Sequence, residues 1–250
     1  MAHAHAIAPA ALLGEFSAPA DLIRLAPLVA RRAAHEPLAL ILGRREFWSL
    51  EFAVSPATLI PRPESETLLE ASVAAFANRQ PPQAILDLGT GTGCLLLAAL
   101  TEFPDAFGLG VDVSAAAVEL AGRNAVALGL ADRALFCCGN WADALAARFD
   151  LVLSNPPYIR GDELGQLMPE VACHEPRLAL DGGLDGLAAY RQLLAVVPLV
   201  LRPDGVAVLE LGAGQAEAVG GLAGRAGFIG AIKHDLAAIP RALVLRLALP

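Results

Sequence analysis

From Pro81-Pro82 onward the sequence alternates short apolar runs with longer segments of helical spacing, and this rhythm constrains the fold more than any other feature. Such alternation builds a mainly parallel sheet with helices packed on both faces. The runs predict strands at Ala84–Leu88, Leu109–Val113, Ala134–Cys137, Leu151–Ser154, Val206–Leu211, Ile229–Lys233 and Ala242–Leu247. Helices are expected at Cys94–Glu102, Ala115–Leu128, Leu187–Leu199 and Gln215–Ala226. The last two strands lie too close together for a crossover helix, so they imply a hairpin at the sheet edge.

Upstream the pattern is different. Ala20–Ala34 has helical spacing interrupted by Pro27, enough for one or two short helices. Arg45–Val54 alternates partially and suits a β-hairpin. The prolines of Ser55–Pro63 make an extended connector, because a residue before proline is pushed out of the α region, and Ser65–Ala77 resumes as a helix. The fold class is thus α/β: a Rossmann-like, seven-stranded, mostly parallel sheet with helices on both faces, preceded by a short helical segment and a β-hairpin. The expected division is residues 1–42, 43–64 and 65–250.

Composition narrows the function classes. With 56% hydrophobic and 18% charged residues the chain can bury a large core, which excludes a disordered protein. A net charge of −8, with Lys233 the single lysine, lacks the basic footprint of a protein that grips a phosphate backbone. Stable nucleic-acid binding is not expected. The longest apolar run, Leu193–Leu201, is interrupted by Pro198 and falls far short of the ~18 residues that span a bilayer, so it reads as core helix and no membrane partner is expected. Residues 1–9 have no positive region and do not read as a secretory signal. Cys94, Cys137, Cys138 and Cys173 form no C-x-x-C pair or disulfide framework; they read as buried reduced thiols, which suggests the cytoplasm.

Two loops carry chemistry. In the first, Ile85–Leu88 runs into Gly89-Thr90-Gly91-Thr92-Gly93, which opens a helix at Cys94. Glycines let the backbone approach a ligand and take positive φ, and a helix start offers unpaired N–H groups. The G-x-G-x-G spacing departs from the dinucleotide fingerprint and lacks a P-loop lysine, which argues against NAD and ATP. Asp112 ends the next strand, where a carboxylate can accept from both hydroxyls of a ribose, so a nucleoside ligand is expected. The second loop, Ser154-Asn155-Pro156-Pro157-Tyr158, follows the fourth strand and faces the same crevice. Asn155 both accepts and donates, the prolines stiffen the turn, and Tyr158 offers a ring for stacking. This set fits a planar amide or amino group. His174 reads as a loop residue rather than a base or metal ligand, and His3 with His5 form no metal site without further ligands.

On these residues the sequence resembles the class I S-adenosylmethionine-dependent methyltransferases, and among them the HemK/PrmC family of protein-glutamine N5-methyltransferases that act on peptide-chain release factors. Further carriers are Glu36-Pro37-Leu38, Gly43–Trp48, Ser55–Glu64, Glu175–Gly183, Leu209-Glu210 and Asp235–Arg241. The resemblance implies S-adenosyl-L-methionine as cofactor, held by Asp87, Gly89, Thr90, Gly91, Thr92, Gly93, Asp112, Trp141 and Asn155. It implies a substrate pocket of Asn155, Pro156, Pro157 and Tyr158, with Asn155, Pro156 and Tyr158 catalytic and no metal. Arg62 and Glu64 would lie in a connector folded over the cleft. Asn140 departs from the aspartate usual before the tryptophan. The family usually begins with a larger helical domain that grips the release factor, so residues 1–42 read as an abbreviated recognition segment.

The mechanism this implies is direct. Asn155 Oδ1 and the Pro156 carbonyl would accept the two hydrogens of a glutamine amide and aim its nitrogen at the methyl donor, with no acid or base required. A cytoplasmic monomer acting on the Gly-Gly-Gln domain of class I release factors is expected. The alternatives are glutamine methylation of a ribosomal protein, adenine-N6 methylation of nucleic acid, which the charge disfavours, and a binding module that has lost turnover, against which Asp87, Asp112 and Asn155 speak.

Overall fold

The computed structural model describes residues 22–143 and 145–248. His3, His5 and the stretch 1–9 lie outside them. Helix α1 (Leu22–Ala33) runs through Pro27 without a break, so the missing N–H costs one backbone bond but does not divide the helix. A short α2 (Leu38–Leu42) ends on Gly43, whose φ of 72° turns the chain into strand β1 (Arg44–Phe47). Strand β2 (Leu50–Ala53) pairs with it antiparallel across the two-residue turn Trp48-Ser49.

Both turn residues have positive φ, 54° and 59°, as the twist of a tight hairpin requires, yet neither is glycine. Tertiary bonds hold them there: the Trp48 backbone N–H donates to Glu66 Oε1 at 2.8 Å and its indole N–H to Glu102 Oε1 at 2.7 Å. Phe47 and Phe52 are fully buried and meet edge to face, which seals the hairpin to the main body.

The main sheet has seven strands in the order β5-β4-β3-β6-β7-β9-β8. Five parallel strands are β3 (Ala84–Leu88), β4 (Phe107–Asp112), β5 (Ala134–Cys138), β6 (Phe149–Ser154) and β7 (Leu201–Glu210). The antiparallel edge is β8 (Phe228–His234) with β9 (Pro240–Leu247), the hairpin expected there. Alternate strand residues feed two cores, as the period of two demands. Ile85, Leu151, Leu153, Val206 and Val208 pack under α3 (Glu66–Phe76) and α4 (Cys94–Glu102). Leu86, Leu88, Val152, Ala207 and Leu209 face α7 (Ala188–Val200) and α8 (Ala216–Arg225). Among the described residues the remaining α-helices are α5 (Ala115–Ala127), beside β4 and β5, and the short α6 (Pro169–Ala172).

Three local expectations change. Strand β4 stops at Asp112, leaving Val113 half exposed outside it. Helix α7 runs through Pro198 to Val200 and passes directly into β7, whose residues 202–204 are exposed where the pairing with β6 shifts register. The cysteines are not all buried: Cys138 and Cys173 are exposed, Cys94 and Cys137 half buried, and all four are free thiols. β5 is an edge strand, so Cys137 packs against the core while Cys138 at its end turns outward; Cys173 ends the surface helix α6.

Among the described residues no helix is long and apolar enough to cross a membrane.

Candidate active site

At the carboxyl ends of β3, β4 and β6 lies a cavity of about 410 Å³. Its position follows from the open parallel sheet, whose loops diverge at the point where strand order reverses between β3 and β6. The glycine loop forms its floor. Gly89, Gly91 and Gly93 have φ of 75°, 55° and 80°. Gly93 is the tightest: a Cβ there would lie 3.1 Å from Ala121 Cβ, so both its backbone angle and its packing require glycine.

Asp87 sits beneath this loop, on the strand face otherwise occupied by Ile85. It is 1% exposed and accepts a 2.7 Å bond from Thr90 Oγ1, while its Oδ1 has no partner among the described residues. Burial pushes its carboxyl up to about 7, against the hydrogen bond from Thr90. Asp112 ends β4 and binds the chain on both sides: Oδ2 accepts from Gly91 N and Oδ1 from Ser114 N, each at 2.9 Å. Each oxygen keeps a further lone pair for a ligand. Asn124, 1% exposed on α5, accepts from Ala53 N–H and donates to Thr92 and Ala53 carbonyls, tying the hairpin to the end of the glycine loop.

The opposite rim is Trp141, whose indole N–H donates to Gln192 Oε1 at 2.6 Å. Asn140 also lines the cavity and donates to Asp143 Oδ2 at 2.8 Å, which leaves its own oxygen available to accept. The proline-rich connector passes over the cavity, with Ala57 through Arg62 in its lining. It is tied down by Glu175, which accepts from Ile60 N–H at 3.1 Å and pairs with Arg62; the Glu175 side chain is 1% exposed. Thr58 Oγ1 is buried in the same lining without a partner among the described residues. Cys94 lies there too, but burial pushes its thiol up to about 12, so it is no thiolate.

Of the residues singled out from sequence, Gly89, Thr90, Gly91, Thr92, Asp112, Trp141, Asn155 and Pro157 line this one cavity. Asp87, Gly93, Pro156 and Tyr158 do not. The Tyr158 ring offers no stacking surface there: its hydroxyl reaches 3.4 Å from Glu210 Oε1, and burial with the Glu210 charge pushes the phenol well above its usual range. His174 stands outside the lining. Ser65 and Gln192 carry no sequence signal, and Glu175 and Glu210 enter only within the segments Glu175–Gly183 and Leu209-Glu210 that carry the family resemblance, with no role attached, because each reaches the site from a distant element.

Comparison with known proteins identifies the family and the fold. The family model described as Methyltransferase small domain matches residues 65–184. The release factor glutamine methyltransferase of Rhodospirillum rubrum is 49% identical over 91% of this chain and 70% of its own length. That of Bradyrhizobium diazoefficiens is 47% identical over 91% of this chain and 78% of its own. Among solved structures, the hMettl16 catalytic domain in complex with a MAT2A 3'UTR hairpin superposes with a TM-score of 0.65 at 15% identity, covering 85% of this chain and 82% of that one, which is a likeness of fold.

Proposed function

The chain belongs to the release factor glutamine methyltransferase family, and on that premise we propose that it transfers the methyl group of S-adenosyl-L-methionine to the N5 amide nitrogen of the glutamine in the Gly-Gly-Gln motif of class I release factors. The observation that carries the reading is that Asn155 opens into the same cavity as the glycine loop and Asp112. The residues present fit the cofactor. Asp112 has lone pairs for ribose hydroxyls, Trp141 and the half-exposed Val113 give apolar walls for a planar base, and the unpartnered Thr58 Oγ1 suits a polar end group. The cofactor, when bound, supplies an electrophilic methyl on a sulfonium sulfur.

The chain's own task is to make an amide nitrogen react. Its lone pair is delocalised into the carbonyl, so it must be held in line and its growing positive charge stabilised. Asn155 Oδ1 and the Pro156 carbonyl accept the two N–H bonds and do both. The proton leaves after transfer, so no base is needed. Pro157 lines the pocket around the glutamine, and Tyr158 supports it from behind through Glu210. A protein rather than a nucleic-acid substrate is supported by the charge of −8, and the cytoplasm by four free thiols. We read residues 1–42 as the recognition segment, 43–64 as hairpin and connector, and 65–250 as the catalytic domain of a monomer. Arg32 of α1 pairs with Glu170 of α6 at 3.0 Å, which ties the first segment to the loop that bears Glu175.

The test is Asn155→Ala. Methyl transfer to a release-factor domain is lost while cofactor binding, read by calorimetry, weakens but persists; unchanged turnover refutes the assignment.

A further inference from the structure

Ser65 is the residue before the first turn of α3, where a serine ordinarily caps the helix, and its side chain makes no capping bond. Its hydroxyl is instead buried between two distant side chains. Ser65 Oγ donates to Glu210 Oε2 at the end of β7, and accepts from Asn155 Nδ2 at 3.1 Å. Ser65 and Glu210 are 3% and 1% exposed.

We propose that Ser65 and Glu210 are positioning residues that fix the orientation of the Asn155 side-chain amide and so hold its Oδ1 toward the substrate. The inference rests on the glutamine reading for its consequence, but the relay itself follows from hydrogen-bond chemistry. An ionised Glu210 can only accept, so the single hydroxyl proton of Ser65 goes to it. The Ser65 oxygen can then only accept from Asn155, and the Asn155 group facing it must be the NH2. Its carbonyl oxygen is thereby turned the other way, as a fixed acceptor. Burial, with the Glu64 charge, pushes the Glu210 carboxyl up to about 7. The Ser65 hydroxyl, the Arg241 charge and the Tyr158 hydroxyl, which donates to its other oxygen, favour the ionised form, so the relay is set above about pH 7 and the tests are read there. Without the relay the two flips of Asn155 become comparable, and one of them points a donor at the substrate's own donors.

Three variants of the full chain test this: Ser65→Ala, Ser65→Cys, which keeps the size but accepts weakly, and Ser65→Thr, which restores the hydroxyl. With a Gly-Gly-Gln release-factor domain as substrate, kcat falls roughly 10- to 100-fold in the alanine and cysteine variants, as misplacement of a reacting group does. Cofactor affinity and KM change less than about threefold, and the threonine variant recovers most of the rate. Wild-type kcat in both Ser65→Ala and Ser65→Cys overturns the relay, as does a loss of kcat, cofactor affinity and thermal stability together in all three. The 15N-resolved side-chain amide of Asn155 reads the relay independently of turnover. Its protons are protected from solvent exchange in the wild type and lose protection in Ser65→Ala. An amide indifferent to that change overturns the relay, whereas a wild type that shows the protected amide but methylates no glutamine refutes the substrate reading and leaves the relay standing.

Discussion

Along the wall formed by β3 and β4, the polar contacts that shape the cavity join neighbours: Thr90 to Asp87, 3 residues away, and Gly91 to Asp112, 21 away on the adjacent strand. Along the wall formed by α3, β6 and β7 they join Asn155 to Ser65 across 90 residues and Ser65 to Glu210 across 145. The first wall is mostly backbone, bent by glycine and braced by carboxylates. The second is side chains only, brought together by the packing of three elements. Changes in the first wall should therefore act on cofactor binding and folding, and changes in the second on turnover.

Asn155→Ala has the largest expected effect. It removes the acceptor on which the second wall converges, so methyl transfer falls by on the order of 1000-fold with cofactor affinity within about tenfold of wild type, measured by steady-state kinetics and calorimetry. A comparable loss of both would merge the two walls. Asp112→Ala is the converse. It deletes charge-assisted bonds to a ligand and weakens cofactor binding roughly 10- to 100-fold, while kcat at saturating cofactor stays within a few-fold.

A third change lies on neither wall but on the tie between the hairpin and the glycine loop, which runs 71 residues from Asn124 to Ala53. Asn124→Ala leaves the Ala53 N–H and the Thr92 carbonyl without their buried partner. Urea unfolding should show a loss of about 2–4 kcal/mol, since a buried orphaned group such as the Thr92 carbonyl costs about 1–3 kcal/mol and the part-buried Ala53 N–H about 1. A loss below about 1 kcal/mol would mean that water replaces the amide.

The smallest effect concerns pH and sets one carboxyl from each wall side by side. Burial raises Asp87 and Glu210 to about 7. The folded chain then holds protons that the unfolded chain has released, so their contribution favours folding at low pH and is lost as pH climbs from the ordinary carboxylate range through about 7. Asp87→Asn and Glu210→Gln remove that slope. Each variant should gain stability relative to wild type as the pH is raised across this window, measured by denaturant titration at several pH values. An unchanged difference would mean that the group is ionised throughout.

The same contrast explains how much could be read from the sequence. The sheet, the glycine loop, Asp112 and the Asn155 loop were legible because strand period, positive-φ glycines and strand ends leave local marks. Ser65 leaves none, and Glu210 is marked only as part of the Leu209-Glu210 segment of the resemblance, since nothing in the spacing of a serine after Pro63-Glu64 points to a glutamate at the end of β7. Tyr158 was legible as part of the motif but not in its direction: it turns to Glu210 rather than into the cavity. Cys138 looked buried because its neighbours are apolar, and only the strand order shows that β5 is an edge. The start of β7 was hidden because α7 passes into it with no turn residue between Val200 and Leu201.

Glutamine methylation is read by mass spectrometry of a purified release factor after incubation with the full chain and S-adenosyl-L-methionine, beside a copy in which the motif glutamine is alanine. One methyl is added, on that glutamine's side-chain nitrogen, and none to the alanine variant. No methylation of the wild-type factor, or methylation that persists in the alanine variant, would contradict it.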